Sequence, residues 1–180
     1  MRVFLAIDVP PEIRDRLAEV QEQVRPATSG ARWVAPESIH VTLKFIGEMP
    51  EKRCEDIDQA LRGLTWKRIK VNVRGVGFFP GTRSPRVFWA GLEAASMEGL
   101  AGEIDTRLER VGFDRERRAF RAHLTLARAK DSHLDKAMIA AAAPFTETEF
   151  GSFTVDRIYL FESTLKAGGS VYTRLKEYRL

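Results

Sequence analysis

Histidine is the side chain whose ordinary titration falls near neutrality, so two of them facing one substrate can act as proton acceptor and proton donor in a single step. Two of the three histidines in this chain sit in the same tetrapeptide pattern, His40-Val41-Thr42-Leu43 and His123-Leu124-Thr125-Leu126. Side chains alternate across a strand, so each copy places His and Thr on one face and two aliphatic residues on the other. Two such strands facing each other would surround one cleft with two imidazoles and two hydroxyls. A phosphodiester held there gives every group a task. One ring takes a proton from water as it attacks phosphorus, and the other protonates the departing ribose oxygen. Thr42 and Thr125 donate hydrogen bonds to the non-bridging oxygens, where charge builds.

The elements that must position these groups follow from a longer repeat. Arg2-Val3-Phe4-Leu5-Ala6 matches Arg86-Val87-Phe88-Trp89-Ala90 at an offset of 84, and His40 matches His123 at an offset of 83. Ile13, Leu17, Val20 and Val24 have helical spacing, answered in the second half by Met97, Leu100 with Ala101, Ile104 and Leu108. After the His strands come Ile57, Leu61, Leu64 and Leu134, Met138, Ala141, again at helical spacing. Ile69 to Val76 and Phe153 to Phe161, rich in β-branched and aromatic residues, predict later strands. Each half thus reads strand, helix, His strand, helix, strand. The segment Pro80 to Pro85 is a turn between halves rather than a tether, so the expectation is two lobes sharing a core.

Composition bounds the function classes. A chain of 180 residues with 44% hydrophobic side chains suits one domain with a sizeable core. No run of about 18 apolar residues suggests a membrane span, and no basic segment with an apolar stretch and cleavage site precedes the first strand. The single cysteine, Cys54, permits no internal disulfide, which suits the cytoplasm. The formal charge of +4 and pI near 9.4 favour an anionic partner. Basic residues concentrate near the second His strand at Arg115, Arg117, Arg118, Arg121 and Arg128. By strand parity Arg121 shares the face of His123, and Lys44 shares the face of His40 and Thr42 and could line the rim. Arg128 has the opposite parity and needs a bulge or the strand end to reach the cleft.

At these residues the chain resembles the 2H phosphoesterase superfamily, and within it the RNA 2′,3′-cyclic phosphodiesterases, also called 2′-5′ RNA ligases. The likeness extends beyond the two tetrapeptides. It covers Arg2 to Asp8, Arg32-Trp33-Val34, Pro36 to Ile39, Lys44-Phe45-Ile46-Gly47, Phe120 to Arg128 and Gly169-Ser170-Val171-Tyr172. The resemblance implies an α+β fold: a bilobal pseudo-twofold arrangement of two antiparallel sheets facing a central cleft, helices outside. On that reading residues 1–180 form a single domain whose lobes are about 1–80 with the C-terminal strand, and about 84–165. It also implies a site needing neither metal nor other cofactor, which opens a terminal cyclic phosphate to a 2′-phosphate. His40 becomes the proton donor, His123 the acceptor and Arg128 a contact to phosphate or nucleotide, with Tyr172 at the cleft edge; Lys44 and Arg121, placed by strand parity, are the further substrate contacts expected. The partners expected are RNA with 2′,3′-cyclic phosphate ends, tRNA halves among them, or 2′,3′-cyclic nucleotides, met by a monomer away from membranes.

The remaining signals are read as structural. His133 follows Asp131-Ser132 at an expected helix start and is expected to be exposed and non-catalytic. Gly75-Val76-Gly77 is followed by Phe78-Phe79-Pro80 rather than by a helix, so it marks a turn or strand irregularity, not a nucleotide fingerprint. Phe120 is expected to pack rather than stack on a base. No H-E-x-x-H, C-x-x-C or EF-hand spacing is present, which argues against a metal hydrolase. Three function classes remain: hydrolysis of cyclic phosphate ends or of another cyclic or 2′-5′ phosphodiester, ligation in which a 5′-hydroxyl replaces water, and a non-catalytic RNA-binding module. Against the last, Arg and Lys supply phosphate affinity without paired histidines.

Overall fold

The computed structural model describes Met1–Leu180 as an α+β fold of nine strands and four α-helices. In chain order these are β1 (Arg2–Asp8), α1 (Pro11–Val24), β2 (Ala31–Trp33), β3 (His40–Glu48), α2 (Cys54–Leu61), β4 (Ile69–Phe79) and β5 (Val87–Glu93). There follow α3 (Met97–Arg110), β6 (His123–Ala129), α4 (Ala137–Ala142), β7 (Glu149–Val155), β8 (Arg157–Lys166) and β9 (Gly169–Arg179). Proline opens α1, where a missing N–H breaks no helical hydrogen bond. The predicted stripe Ile13, Leu17, Val20 and Val24 is its buried face, and Met97, Leu100, Ala101, Ile104 and Leu108 are buried on α3.

Two antiparallel sheets face the central cleft, with strand orders β3-β1-β8-β9 and β2-β6-β5-β4-β7. The two halves of the sequence are not the two sheets. The strand β4 from the first half pairs with β5, and β8 from the second half pairs with β1. This exchange places each half's later strand beside the other half's first strand, and one contiguous core of 38 buried residues runs through both sheets. The histidine strands β3 and β6 contact each other across the junction.

Three local expectations are corrected. The apolar run Phe153 to Phe161 is two strands, because Asp156 ends β7 in one sheet and the chain resumes as β8 in the other. Leu134 is buried but precedes α4, its N–H donating to the Pro85 carbonyl at 2.6 Å. His133 therefore lies in a loop, exposed, with its Nδ1 2.9 Å from Ser132 Oγ, and not at a helix start. The register also corrects the repeat. In the first sheet Phe4 pairs with Phe45 and Ala6 with Thr42, and in the second Val87 pairs with Arg128 and Trp89 with Thr125. The first strands thus correspond at an offset of 83, like the histidines. A one-residue slip exchanges faces, which is why Phe4, though buried, packs its ring on His40 while Phe88 belongs to the central core.

Candidate active site

Each histidine strand carries a β-bulge at the same place. On β3 the partners of Leu5 and Ala6 are Lys44 and Thr42, and on β6 those of Phe88 and Trp89 are Ala127 and Thr125. One residue on each strand is unpaired, so parity reverses beyond the bulge. Two sequence expectations turn on that reversal. Arg128 is carried onto the face of His123 and Thr125 and is exposed there. Lys44 is carried off the face of His40 and Thr42, so it does not line the cleft. It is 5% exposed, and its Nζ donates to Asp105 Oδ1 at 2.5 Å and to the Asp114 carbonyl at 2.7 Å. Phe45 takes the cleft position that unbroken alternation would have given to Lys44.

The two imidazoles are held alike. His40 Nδ1 lies 2.7 Å from the Ser38 carbonyl and His123 Nδ1 lies 2.7 Å from the Arg121 carbonyl. A carbonyl only accepts, so Nδ1 carries the proton in both rings, and in the neutral state Nε2 is left as the basic atom. At His40 that Nε2 receives the Thr42 hydroxyl at 2.9 Å. Burial, the leading cause, holds both rings below the ordinary histidine value of 6.5. The two backbone carbonyls oppose the shift, and the Arg128 guanidinium lowers both rings, placing that cation within electrostatic reach of each. His40 alone also feels Asp8, which raises it, and Arg14, which lowers it.

The surroundings differ more than the rings. Around His40 stand Phe4 at 4.8 Å and Tyr172 at 5.2 Å between ring centroids, the latter perpendicular. Tyr172 thereby reaches the site from the last strand. Asp8, opposite His40 on β1, is bonded by Arg14 and, at 2.5 Å, by Arg174. Around His123 stands Phe79, perpendicular at 5.1 Å, with Trp89 behind it at 5.1 Å and the Arg121 guanidinium over its face at 5.7 Å. Sequence reasoning missed Phe4, Asp8, Phe45, Phe79, Trp89 and Arg174. The parity of β1 relative to His40 was a usable signal for Phe4 and Asp8; the others depend on bulges and strand exchange. Phe120 packs against the core, half-buried. No three His, Cys, Asp or Glu side chains converge in the chain, and no helix is long and apolar enough to cross a membrane.

The histidine strands thus carry two imidazoles with Nδ1 bonded to the backbone, the Thr42 and Thr125 hydroxyls on the same strand faces, and the exposed Arg128 guanidinium. Comparison with known proteins identifies a family. Residues 7–89 and 93–172 match the LigT like Phosphoesterase family. An RNA 2′,3′-cyclic phosphodiesterase of Methanocaldococcus jannaschii is 34% identical over 178 residues, spanning 99% of this chain and 100% of that protein. A protein of the same name from Thermus thermophilus is 35% identical over 195 residues, spanning 100% of this chain and 90% of the relative. Among solved structures, one from Thermus thermophilus has a TM-score of 0.83 at 32% identity and covers 100% of this chain and 98% of its own. E. coli LigT complexed with 3′-AMP has a TM-score of 0.80 at 27% identity, covering 99% and 97%.

Proposed function

The chain belongs to the LigT-like phosphoesterase family, and from that premise we propose that it hydrolyses RNA 2′,3′-cyclic phosphate ends to 2′-phosphomonoesters by two-histidine acid–base catalysis without a metal. It is a phosphodiesterase, as are the relatives carrying the cyclic phosphodiesterase name. The observation that supports the mechanism is the shared anchoring of the rings, each tied through Nδ1 to a carbonyl two residues earlier with Nε2 left as the proton-transfer atom. E. coli LigT, 27% identical, is described in complex with 3′-AMP, which supports a nucleotide as the ligand class of this cleft.

His123 Nε2 accepts a proton from water as the water oxygen bonds to phosphorus. The bond from phosphorus to O3′ breaks, and His40, protonated at Nε2, gives its proton to O3′. The phosphate stays on O2′, and solvent restores both rings. The acid role of His40 is the one the family resemblance implies; of the charges that His40 alone feels, Arg14 lowers it and Asp8, to a lesser extent, raises it. Thr42 can accept from the imidazolium while turning its own proton to a phosphate oxygen. Thr125 donates from the opposite wall, and Arg128 neutralises the charge that grows there. With a 5′-hydroxyl in place of water the same steps give a 2′-5′ linkage, the ligation reading. Its substrates would be tRNA halves, other cyclic-ended RNA or 2′,3′-cyclic nucleotides, met by a monomer in the cytoplasm.

The test is turnover, in EDTA, of an RNA oligonucleotide ending in a 2′,3′-cyclic phosphate by the wild type, His40→Ala and His123→Ala. Conversion to a 2′-phosphate that each substitution lowers by about 10²–10⁴ is expected. Loss of wild-type activity in EDTA, restored by added metal, would remove the mechanism; formation of a 3′-phosphate would reverse which ester bond is broken.

A further inference from the structure

The wall that carries His40 continues past the reacting groups. On β1 the partners of Thr42 and Phe45 are Ala6 and Phe4, two residues apart, so the Phe45 row lies about 7 Å beyond the Thr42 row on the same face. Phe45 is 46% exposed, unusual for a large apolar side chain beside a substrate cleft. The Arg2 guanidinium lies 4.9 Å from its ring centroid. Beside the ring is a recess of about 300 Å³ in which Phe113 stands among charged residues, the cations Lys44, Arg53 and Arg115 against the carboxylates Glu48, Asp114 and Glu116. Its innermost cation, Lys44, is already neutralised by Asp105. With cations and carboxylates in balance the recess has no net positive charge to hold a phosphate, whereas Phe45 and Phe113 offer aromatic faces to a flat group.

We propose that Phe45 and this recess form a subsite for the base of the second nucleotide from the RNA 3′ end, with Arg2 beside the connecting phosphate. The inference rests on the proposed reaction and on His40 as its acid. Protonating O3′ from His40 puts the terminal ribose, and all RNA preceding it, on the β3 side of the phosphate. Tyr172 then borders the terminal nucleoside, and the next base arrives one nucleotide's reach further along β3, over Phe45. The pseudo-twofold supports the same polarity. Phe45 and Arg128 are equivalent positions, yet one carries an aromatic face and the other a cation that both imidazoles feel. Water enters on the His123 side and needs no platform. Because every base has a π-face, the subsite would favour length over sequence.

The experiment is the ratio of kcat/KM for a dinucleotide ending in a 2′,3′-cyclic phosphate to that for the 2′,3′-cyclic mononucleotide. It is measured for the wild type, Phe45→Ala and Phe45→Trp, with thermal midpoints confirming that each is folded. A wild-type ratio well above one, reduced about ten-fold or more by Phe45→Ala through KM and kept by Phe45→Trp, is expected. A wild-type ratio near one, or a ratio that Phe45→Ala leaves in place, would overturn the subsite while the hydrolase reading stands. Turnover of neither substrate by the wild type would overturn that reading and the subsite with it.

Discussion

Lys44 and Asp105 form a buried ion pair that ties the first histidine strand to the segment leading into the second. The Lys44 ammonium donates to Asp105 and to the Asp114 carbonyl, while both Asp105 oxygens accept the Glu116 N–H. Five residues on, Arg121 supplies the carbonyl that fixes His123. Removing Lys44 leaves the buried Asp105 carboxylate with only the exposed Arg115 at 3.7 Å and the Glu116 N–H, so Lys44→Met is expected to destabilise folding by up to about 3 kcal/mol, the low end for a broken buried pair. The double variant Lys44→Met/Asp105→Leu is expected to recover part of that loss. Urea denaturation midpoints of the two variants check the order.

The hydroxyls are expected to act on the transition state. Thr42→Val and Thr125→Val each remove one donor, and each is expected to lower kcat by about 10²–10³. A change in KM alone would assign them to ground-state binding.

Both imidazoles titrate below 6.5 in the free protein, chiefly because they are buried. In the proposed mechanism the reactive form has one ring neutral and one protonated, and it predominates between the two values. The bell of kcat/KM against pH is therefore expected to have its maximum below 6.5. A bound phosphate anion raises both rings, so the kcat profile should lie at higher pH. Linkage has the matching sign: as pH falls below 6.5 the unfolded chain takes up these protons first, and stability is lost through the folded-state values. Steady-state profiles and melting curves across that range test both.

Arg128 lowers both rings through its charge. Arg128→Gln is expected to displace the kcat/KM bell to higher pH as well as to raise KM. An unshifted bell would place the guanidinium out of reach of the histidines.

Gly77 lies beneath the Trp89 ring, and a Cβ there would collide with it. Trp89 backs Phe79, which touches His123. Gly77→Ala is expected to cost about 1–3 kcal/mol by overpacking and to lower activity through His123. The melting temperature and kcat together check this.

The placing of each histidine beside its threonine was legible in the sequence because it is local. His-x-Thr fixes which atoms share a strand face whatever the strand packs against, and the helical stripes around Leu17 and Ile104 declare their buried sides by periodicity alone. The tertiary structure decided what lies beyond the bulges. An extra residue in β3 and in β6 reverses parity, sending Lys44 to Asp105 and bringing Arg128 and Phe45 to the cleft. No sequence pattern marks those bulges, because each appears only as two successive buried residues, Leu43 with Lys44 and Leu126 with Ala127. The exchange of β4 and β8 between sheets was equally hidden. An alternating apolar strand states which face it buries but not which neighbour supplies its hydrogen bonds, and only the packing of the whole chain makes that choice.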